Sequence, residues 1–409
     1  MKIRRGFLGK RILSPLAVAA VAASLSFCNL GGGTGEELPP PVSPTEKINV
    51  KGQRVVHTLW NEPMQDPRQA MGYQLRDGTP YFDNYVVLYG FRLLDNNCGV
   101  DNDLVCNESG LHLHMSNETM KYMLPNWNTL VKPLRDKGIK FVMSIVPSGS
   151  GVTVGTLYRW PMEEWYPWNT LEVEDEYPYG PDAVKKVIGQ IKEFHAKYPF
   201  DGIGYDEEYG SNGSDIGRGS VYPNADKYPK SDRGKAWSIG GENILRFAHE
   251  VNLALGFKFG HEVYEIRYGE HVAKSYTYPD GEVPVGSAQT VFMEDVIDYS
   301  YYVYYGGWNP SSGFGMPRSK YAPAVIELAV SESPKPASGK NGIQARMRDH
   351  LGGNYGVVMY YGMMGRDAYH NRYPNSPSLD NYFSEISRIL YGQDVIYVGQ
   401  DYSDGFWGD

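Results

Sequence analysis

An acidic segment near the middle of the chain has residue types and spacing suited to acid catalysis. It reads FDGIGYDEEY from Phe200 to Tyr209. Side chains alternate along a strand, so Gly204, Asp206 and Glu208 would share one face. Two carboxylates held close together repel each other, which raises the affinity of one of them for a proton. A protonated Glu208 beside an ionised Asp206 is what general acid catalysis needs, although a solvated acidic loop would have the same composition.

The rest of the chain predicts a parallel sheet that can position these acids. From Arg54 onward, short apolar runs alternate with helical patterns. The eight predicted strands, the number that a closed barrel needs, are Val55–Trp60, Tyr85–Gly90, Lys140–Val146, Gly202–Asp206, Lys258–Val263, Tyr299–Tyr304, Ala324–Leu328 and Gly356–Tyr361. The predicted helices are Asn117–Lys137, with Pro125 and Pro133 as kinks or breaks, Pro181–Tyr198, Gly241–Leu255, Gly342–Leu351 and Ser378–Leu390. We therefore expect an α/β fold, a single (β/α)8 TIM barrel.

Three long irregular insertions follow the second, third and fourth predicted strands. They cover residues 92–116, 147–180 and 209–238. In a barrel these connections all emerge on the C-terminal face, where active sites lie. The predicted fold therefore places the acidic segment and the insertions at the same end.

The acidic segment resembles the signature Asp-x-x-Asp-x-Asp-x-Glu of family 18 glycoside hydrolases. Its continuation as Glu208-Tyr209 is similar to the endo-β-N-acetylglucosaminidases of that family. Further similarities to them occur in order along the chain, at residues 133–140, 298–308, 321–327 and 389–392. The resemblance implies hydrolysis, without a cofactor, of the bond between the two core GlcNAc residues of an N-linked glycan. Its partner would be an N-glycan or N-glycoprotein substrate.

The resemblance also implies a substrate-assisted, retaining mechanism, in which the acetamide of the sugar replaces a protein nucleophile. Glu208 matches the general acid and base. Asp206 matches the residue that orients the acetamide and stabilises an oxazolinium intermediate, and Tyr304 matches a hydrogen-bond donor to the acetamide oxygen. Two alternatives are a surface glycan-binding protein without turnover and a chitinase.

Two positions depart from the family pattern. Gly204 stands where the family usually has another Asp, and its absence would alter the acidity of Asp206. Tyr302 stands where close relatives carry Asn or Gln, two residues before Tyr304, and it would alter how the acetamide is held.

Aromatic side chains near the predicted strand ends are candidates for stacking on sugars. The substrate-binding candidates are Tyr361, as the floor beneath the reacting sugar, with Tyr302, Tyr305, Trp308, Tyr89, Phe91 and Trp160. The alternative for each of them is ordinary packing, and for Trp160 it is a loop folded over its own apolar side chains.

The N-terminus resembles a bacterial lipoprotein signal. A basic segment is followed by an apolar stretch, Leu16–Phe27, that is too short to span a bilayer. Cys28 comes directly after this stretch. Residues 1–28 are the predicted signal, 29–47 a Gly- and Pro-rich tether and 48–409 the barrel domain. We expect an exported monomer held at the outer membrane or cell surface only by a lipid on Cys28. An ordinary signal peptide is the alternative.

The net charge, the cysteines and the histidines bear on three further predictions: nucleic-acid binding, a disulfide and a metal site. The net charge of −9 argues against nucleic acid, because binding phosphates needs clustered basic residues. Outside the cytoplasm, Cys98 and Cys106 are expected to form a disulfide. We predict no metal site, because nearby acids lack the EF-hand spacing and the alternating His112 and His114 fit the polar face of a hairpin better.

Overall fold

The coordinates are a computed structural model. It describes residues 55–61, 65–94, 111–115, 119–146, 154–158, 181–206, 230–257, 260–265, 273–302, 308–310, 316–328, 343–363, 365–372, 374 and 378–402. Among these residues, no helix combines the length and the apolar character needed to cross a bilayer.

A parallel sheet wraps almost completely around the centre of the molecule. Its strands are β1 (Val56–Asn61), β3 (Asn84–Leu94), β5 (Lys140–Val146), β6 (Gly202–Tyr205), β7 (His261–Glu265), β10 (Tyr299–Tyr302), β11 (Tyr321–Ala322), β12 (Val325–Glu327) and β13 (Val357–Tyr361). The spatial order is β11-β10-β7-β6-β5-β3-β1-β13-β12, with every neighbouring pair parallel. This confirms the predicted barrel.

The seventh barrel strand consists of two short pieces. β11 pairs with β10, whereas β12 pairs with β13 on the other side. Pro323 lies between the pieces and has no amide hydrogen to donate to a ladder, so it interrupts the strand. The nine segments on the sheet path therefore make the eight predicted strands.

Helices cover the outside of the barrel. They are α1 (Gln69–Gly72), α2 (Trp127–Asp136), α3 (Pro181–Lys197), α4 (Lys230–Leu255), α5 (Ile343–Gly353), α6 (Arg366–Arg372) and α7 (Leu379–Tyr391). In α3 the buried residues Val184, Val187, Ile191 and Phe194 recur at helical spacing, which gives the helix one apolar face. Ser378 caps α7 by accepting a hydrogen bond from the Asn381 amide, and Gly392 ends it with a φ of 69°.

The predicted helix over residues 117–137 is broken near Pro125, as predicted, whereas Pro133 lies inside α2 and does not interrupt it. A single π-helical turn, Thr119–Met123, precedes α2, which starts two residues after Pro125. By contrast, α4 begins at Lys230, inside the segment predicted to be an irregular insertion. That prediction was wrong for residues 230–238, because the apolar periodicity that marks a helix becomes regular only further along the chain.

Among the described residues, five further strands form pairs outside the barrel path. β4 (His112–Met115) pairs antiparallel with the end of β3, as the predicted hairpin requires, but His112 is buried and does not lie on an exposed polar face. Residues 273–302 contain a second hairpin, β8 (Ser275–Thr277) with β9 (Thr290–Phe292), between β7 and β10. Finally, β2 (Tyr73–Leu75) pairs antiparallel with β14 (Val395–Tyr397), joining the two ends of the domain.

Two hydrophobic clusters lie on opposite sides of the sheet. The larger one fills the layer between strands and helices, and it includes Phe91, Phe194 and Tyr302. The smaller one fills the barrel interior, and it includes Trp60 and Tyr301. Which cluster a strand residue joins therefore shows whether its side chain points toward the helices or toward the barrel axis.

Candidate active site

Asp206 lies at the carboxyl end of β6, where the sequence predicted it. Its backbone amide donates a hydrogen bond to the carbonyl of Ile145 at 3.0 Å, which continues the ladder with β5. The residue is only 6% exposed, so its carboxyl group is largely withdrawn from water. A carboxylate in this position has the low-dielectric surroundings in which a fixed negative charge acts strongly on a nearby cation.

Glycines bring the neighbouring strands close to β6. A Cβ atom at Gly202 would lie 2.5 Å from the carbonyl oxygen of Gly260, so only glycine fits there. Gly204 faces the barrel interior and is packed by Trp60, Ser144 and Val86. The interior directly below Asp206 is therefore filled by other strands.

Tyr205 points to the opposite face and fixes β6 against β7. Its hydroxyl is 3.0 Å from Nδ1 of His261, and Nε2 of His261 is 2.6 Å from the amide oxygen of Asn252. An amide oxygen only accepts, so Nε2 donates to it and Nδ1 accepts from the tyrosine. Burial lowers the pKa of His261 to about 3, which keeps the ring neutral. A neutral histidine thus locks the strand that carries Asp206.

Asp201, the first acid of the motif, makes an ion pair outside the barrel. Arg135 of α2 donates to both of its carboxylate oxygens, at 2.9 and 3.0 Å, and the amide of Phe141 donates at 3.0 Å. Both side chains are less than a tenth exposed. Asp201 therefore joins α2, β5 and β6 and is not directed into the barrel.

A second acid, Glu262 on β7, lies in the barrel interior. It is 2% exposed, and its Oε1 accepts a hydrogen bond from the side-chain amide of Asn84 at 2.8 Å. The same amide also contacts the hydroxyl of Thr58 at 3.0 Å. Burial raises the pKa of Glu262 to about 8. Glu262 was not among the predicted site residues, although an acid inside the predicted strand Lys258–Val263 is a signal that could have marked it.

Tyr361 ends β13 and belongs to the interior side of the sheet. It is paired with Trp60 of β1 and Glu327 of β12, and it packs against the interior cluster while remaining partly exposed. The next turn is held firmly, because Asn61 accepts from the amide of Met363 at 2.7 Å and donates to its carbonyl at 3.4 Å. Tyr361 therefore lies on the interior side at a strand end, and its role as the floor of a sugar site stays a prediction.

Three other aromatic candidates lie away from the barrel interior. Phe91 is fully buried and packs edge-on against Phe194 on the helix side. Tyr302 also belongs to the helix-side cluster and is 6% exposed. Trp308 packs edge-on against Tyr355, which precedes β13 at the amino-terminal end of the barrel. The structure therefore does not bring these residues together with Asp206, because their strand positions or connections direct them elsewhere.

The remaining site predictions concern residues that the structure does not describe. Those outside the described residues are Glu208, Tyr304, Tyr305, Trp160, Cys28, Cys98 and Cys106, the signal over 1–28 and the tether over 29–47. Tyr89 lies on β3, but its side chain is not among those described. Within the described part of the chain, no group of three or more His, Cys, Asp or Glu side chains could hold a metal ion.

Comparison with known proteins confirms the resemblance seen in the sequence. No family model matches the chain. The chain is 23% identical over 325 residues to a curated endo-beta-N-acetylglucosaminidase of a Flavobacterium species, covering 80% of this chain and 76% of that protein.

Two solved structures of EndoBT-3987 from Bacteroides thetaiotaomicron share the fold. One holds a Man5GlcNAc product and the other a Man9GlcNAc2Asn substrate. Each superposes with a TM-score of 0.53 at 16% identity over 86% of this chain. The match spans 64% and 68% of those two chains, so this chain corresponds to about two thirds of their length.

Proposed function

We propose that this chain is a glycoside hydrolase, an endo-β-N-acetylglucosaminidase that cleaves the β-1,4 bond between the two core GlcNAc residues of N-linked glycans. The observation that carries the proposal is the position of Asp206, a motif acid buried at the carboxyl end of a barrel strand. The similarity to a curated endo-beta-N-acetylglucosaminidase and the fold shared with a glycan-bound endoglycosidase support the same activity.

The proposed mechanism uses the substrate's own acetamide as the nucleophile. Glu208 protonates the departing glycosidic oxygen while the acetamide oxygen attacks the anomeric carbon, and an oxazolinium ion forms. Asp206 stabilises the developing positive charge, and Tyr304 donates a hydrogen bond to the acetamide oxygen. Glu208 then removes a proton from water, which opens the ring with net retention. The chain therefore supplies one proton shuttle and one fixed charge.

Two variants test these roles on a purified N-glycoprotein, with loss of glycan mass as the readout. Glu208→Gln cannot donate a proton, so we expect kcat to fall by about 10²–10⁴-fold while the glycan still binds. Asp206→Asn removes the fixed charge, and we expect a loss of about 10²–10³-fold. Glu294→Gln, which changes an exposed acid away from the barrel interior, is the matched control.

Normal cleavage by Glu208→Gln would show that the acid is wrongly assigned. Glycan binding without cleavage by the unaltered chain would identify a binding protein, and cleavage of chitooligosaccharides in place of N-glycans would identify a chitinase. A panel of high-mannose, hybrid and complex N-glycans then defines which branches are accepted.

The N-terminal segment supports a proposal about the location of the protein. We propose that export ends with a lipid on Cys28, which would place the enzyme at the outer membrane or cell surface, where it would meet glycoproteins. Expression with a labelled fatty acid tests this. Label that is retained after Cys28→Ser would contradict it.

A further inference from the structure

Glu262 and Asp206 are two acids on the inner face of neighbouring strands. β6 and β7 pair so that Gly204 lies beside Glu262. Gly204 and Asp206 share one face of β6, since they are two residues apart. Glu262 is therefore one layer below Asp206, about 7 Å along the strand direction.

Among the described residues, polar groups surround Glu262, and no Lys, Arg or His side chain is paired with it. Asn84 donates to its Oε1, and the hydroxyl of Tyr301 from β10 lies nearby and donates to Thr58 at 3.4 Å. The charged groups that reach it are Asp298 and Lys140, which pair with each other at 3.5 Å. Burial is the largest influence on its pKa, followed by the opposing effect of Tyr301. Glu262 is therefore held as a neutral acid at neutral pH.

A carboxyl group in this place reduces stability at neutral pH. In the unfolded chain a glutamate ionises near pH 4.5, whereas in the folded chain Glu262 keeps its proton up to about pH 8. The favourable contribution of Glu262 to the free energy of unfolding is thus complete below pH 4.5, and it is lost progressively as the pH rises to about 8. A glutamine would accept the same hydrogen bond from Asn84 without this loss. The carboxyl group is consequently better explained by function than by stability.

We propose that Glu262 is a positioning residue for the proposed hydrolysis: as the more deeply placed of two inward-facing acids it retains a proton, which leaves Asp206 as the fixed negative charge at the barrel mouth. The inference rests on the proposed function. When two interacting acids lie at different depths, their pKa values move apart, so that one acid is neutral while the other is ionised. When Glu262 ionises, it places a second negative charge below Asp206. The charge at the site that stabilises the oxazolinium ion is then altered.

The pH dependence of kcat tests this role. We compare the unaltered enzyme, Glu262→Gln and Glu294→Gln, a control at an exposed glutamate. With a pKa of about 8, about one Glu262 in ten keeps its proton at pH 9. We therefore expect the fall in kcat between pH 7 and pH 9 to be about tenfold smaller in Glu262→Gln than in the other two proteins. Equal falls in all three would overturn the proposal.

Measurements without substrate separate this inference from the proposed function. The Tm of Glu262→Gln relative to the unaltered protein should increase as the pH is raised from 5 to 8, and a constant difference would show that Glu262 is not a neutral acid. Should Glu262→Gln fail to fold, the test is made on Glu208→Gln by infrared spectroscopy, which detects the signal of a protonated carboxyl group. That signal should persist at pH 7 and disappear by pH 9, and its absence at pH 7 would overturn the inference. Failure of N-glycan cleavage alone would contradict only the activity.

Discussion

The indole of Trp60 occupies the space into which a side chain at Gly204 would project. A Cβ atom at residue 204 would lie 3.3 Å from Cη2 of Trp60, and 3.4 Å from both Cβ of Ser144 and Cγ1 of Val86. Trp60 is fully buried and packs edge-on against Tyr301, with ring centroids 6.0 Å apart. The glycine and the tryptophan are therefore complementary, and together they build the interior below Asp206.

Placing a carboxylate at residue 204 should harm the protein even though it restores the family motif. We expect Gly204→Asp to lower the free energy of unfolding by at least about 1–3 kcal/mol, because Trp60 must shift and a further acid is buried. Chemical denaturation measures the change. Gly189→Ala, on α3 with nothing within 4 Å of its Cβ position, is the matched control and should stabilise by about 0.5–1 kcal/mol. Unchanged stability of Gly204→Asp would show that the interior is looser than the packing indicates.

Removing Asp201 should destabilise the barrel without removing a catalytic group. Asp201→Ala leaves Arg135 buried without its ion-pair partner, and breaking such a pair costs about 3–5 kcal/mol. Asp136→Ala breaks an exposed pair with Lys132 and should cost less than about 1 kcal/mol. Urea denaturation of both variants provides the comparison. A loss of kcat with full stability in Asp201→Ala would instead indicate a direct role in the reaction.

Two buried histidines should make the protein sensitive to acid. Burial lowers the pKa of His261 to about 3 and that of His350 to about 4. The unfolded chain binds these protons from about pH 6.5 downward, whereas the folded chain does not. The contribution of these two histidines to stability is therefore complete above pH 6.5 and falls toward pH 4, by up to about 1.4 kcal/mol per pH unit for each histidine.

Urea denaturation at several pH values between 7 and 4.5 checks this slope. His350→Gln should make the slope shallower, whereas His370→Gln, at an exposed position, should leave it unchanged. If His350→Gln and the unaltered protein lose stability in parallel, the buried ring is not the source of the sensitivity.

Much of the fold could be predicted because its signals are local. Runs of five to seven residues that are rich in apolar side chains mark β1, β5 and β13, and Ser378 and Gly392 mark the ends of α7. The hairpin of β8 and β9 was not predicted. Its strands have three residues each, which is too short for a periodic pattern to be recognised.

The site was only partly predictable. The position of Asp206 follows from its place at the end of a strand, and Tyr361 follows in the same way. Phe91 and Tyr302 also lie on strands, but they point toward the helices. The side that a residue faces depends on the register of its strand, which shifts within β3 between Val87 and Phe91.

The sequence by itself determined the alternation of strands and helices, the acid at the end of β6 and the resemblance that gives it a chemical meaning. These features depend on neighbours within a few residues, or on the order of motifs along the chain. Only the tertiary structure decided that Trp60 fills the space beside Gly204, that Arg135 holds Asp201 outside the barrel and that Glu262 is a neutral acid below Asp206. Each depends on contacts between strands or helices that are distant in sequence and on the exclusion of water, which only the packed barrel and its helix layer create.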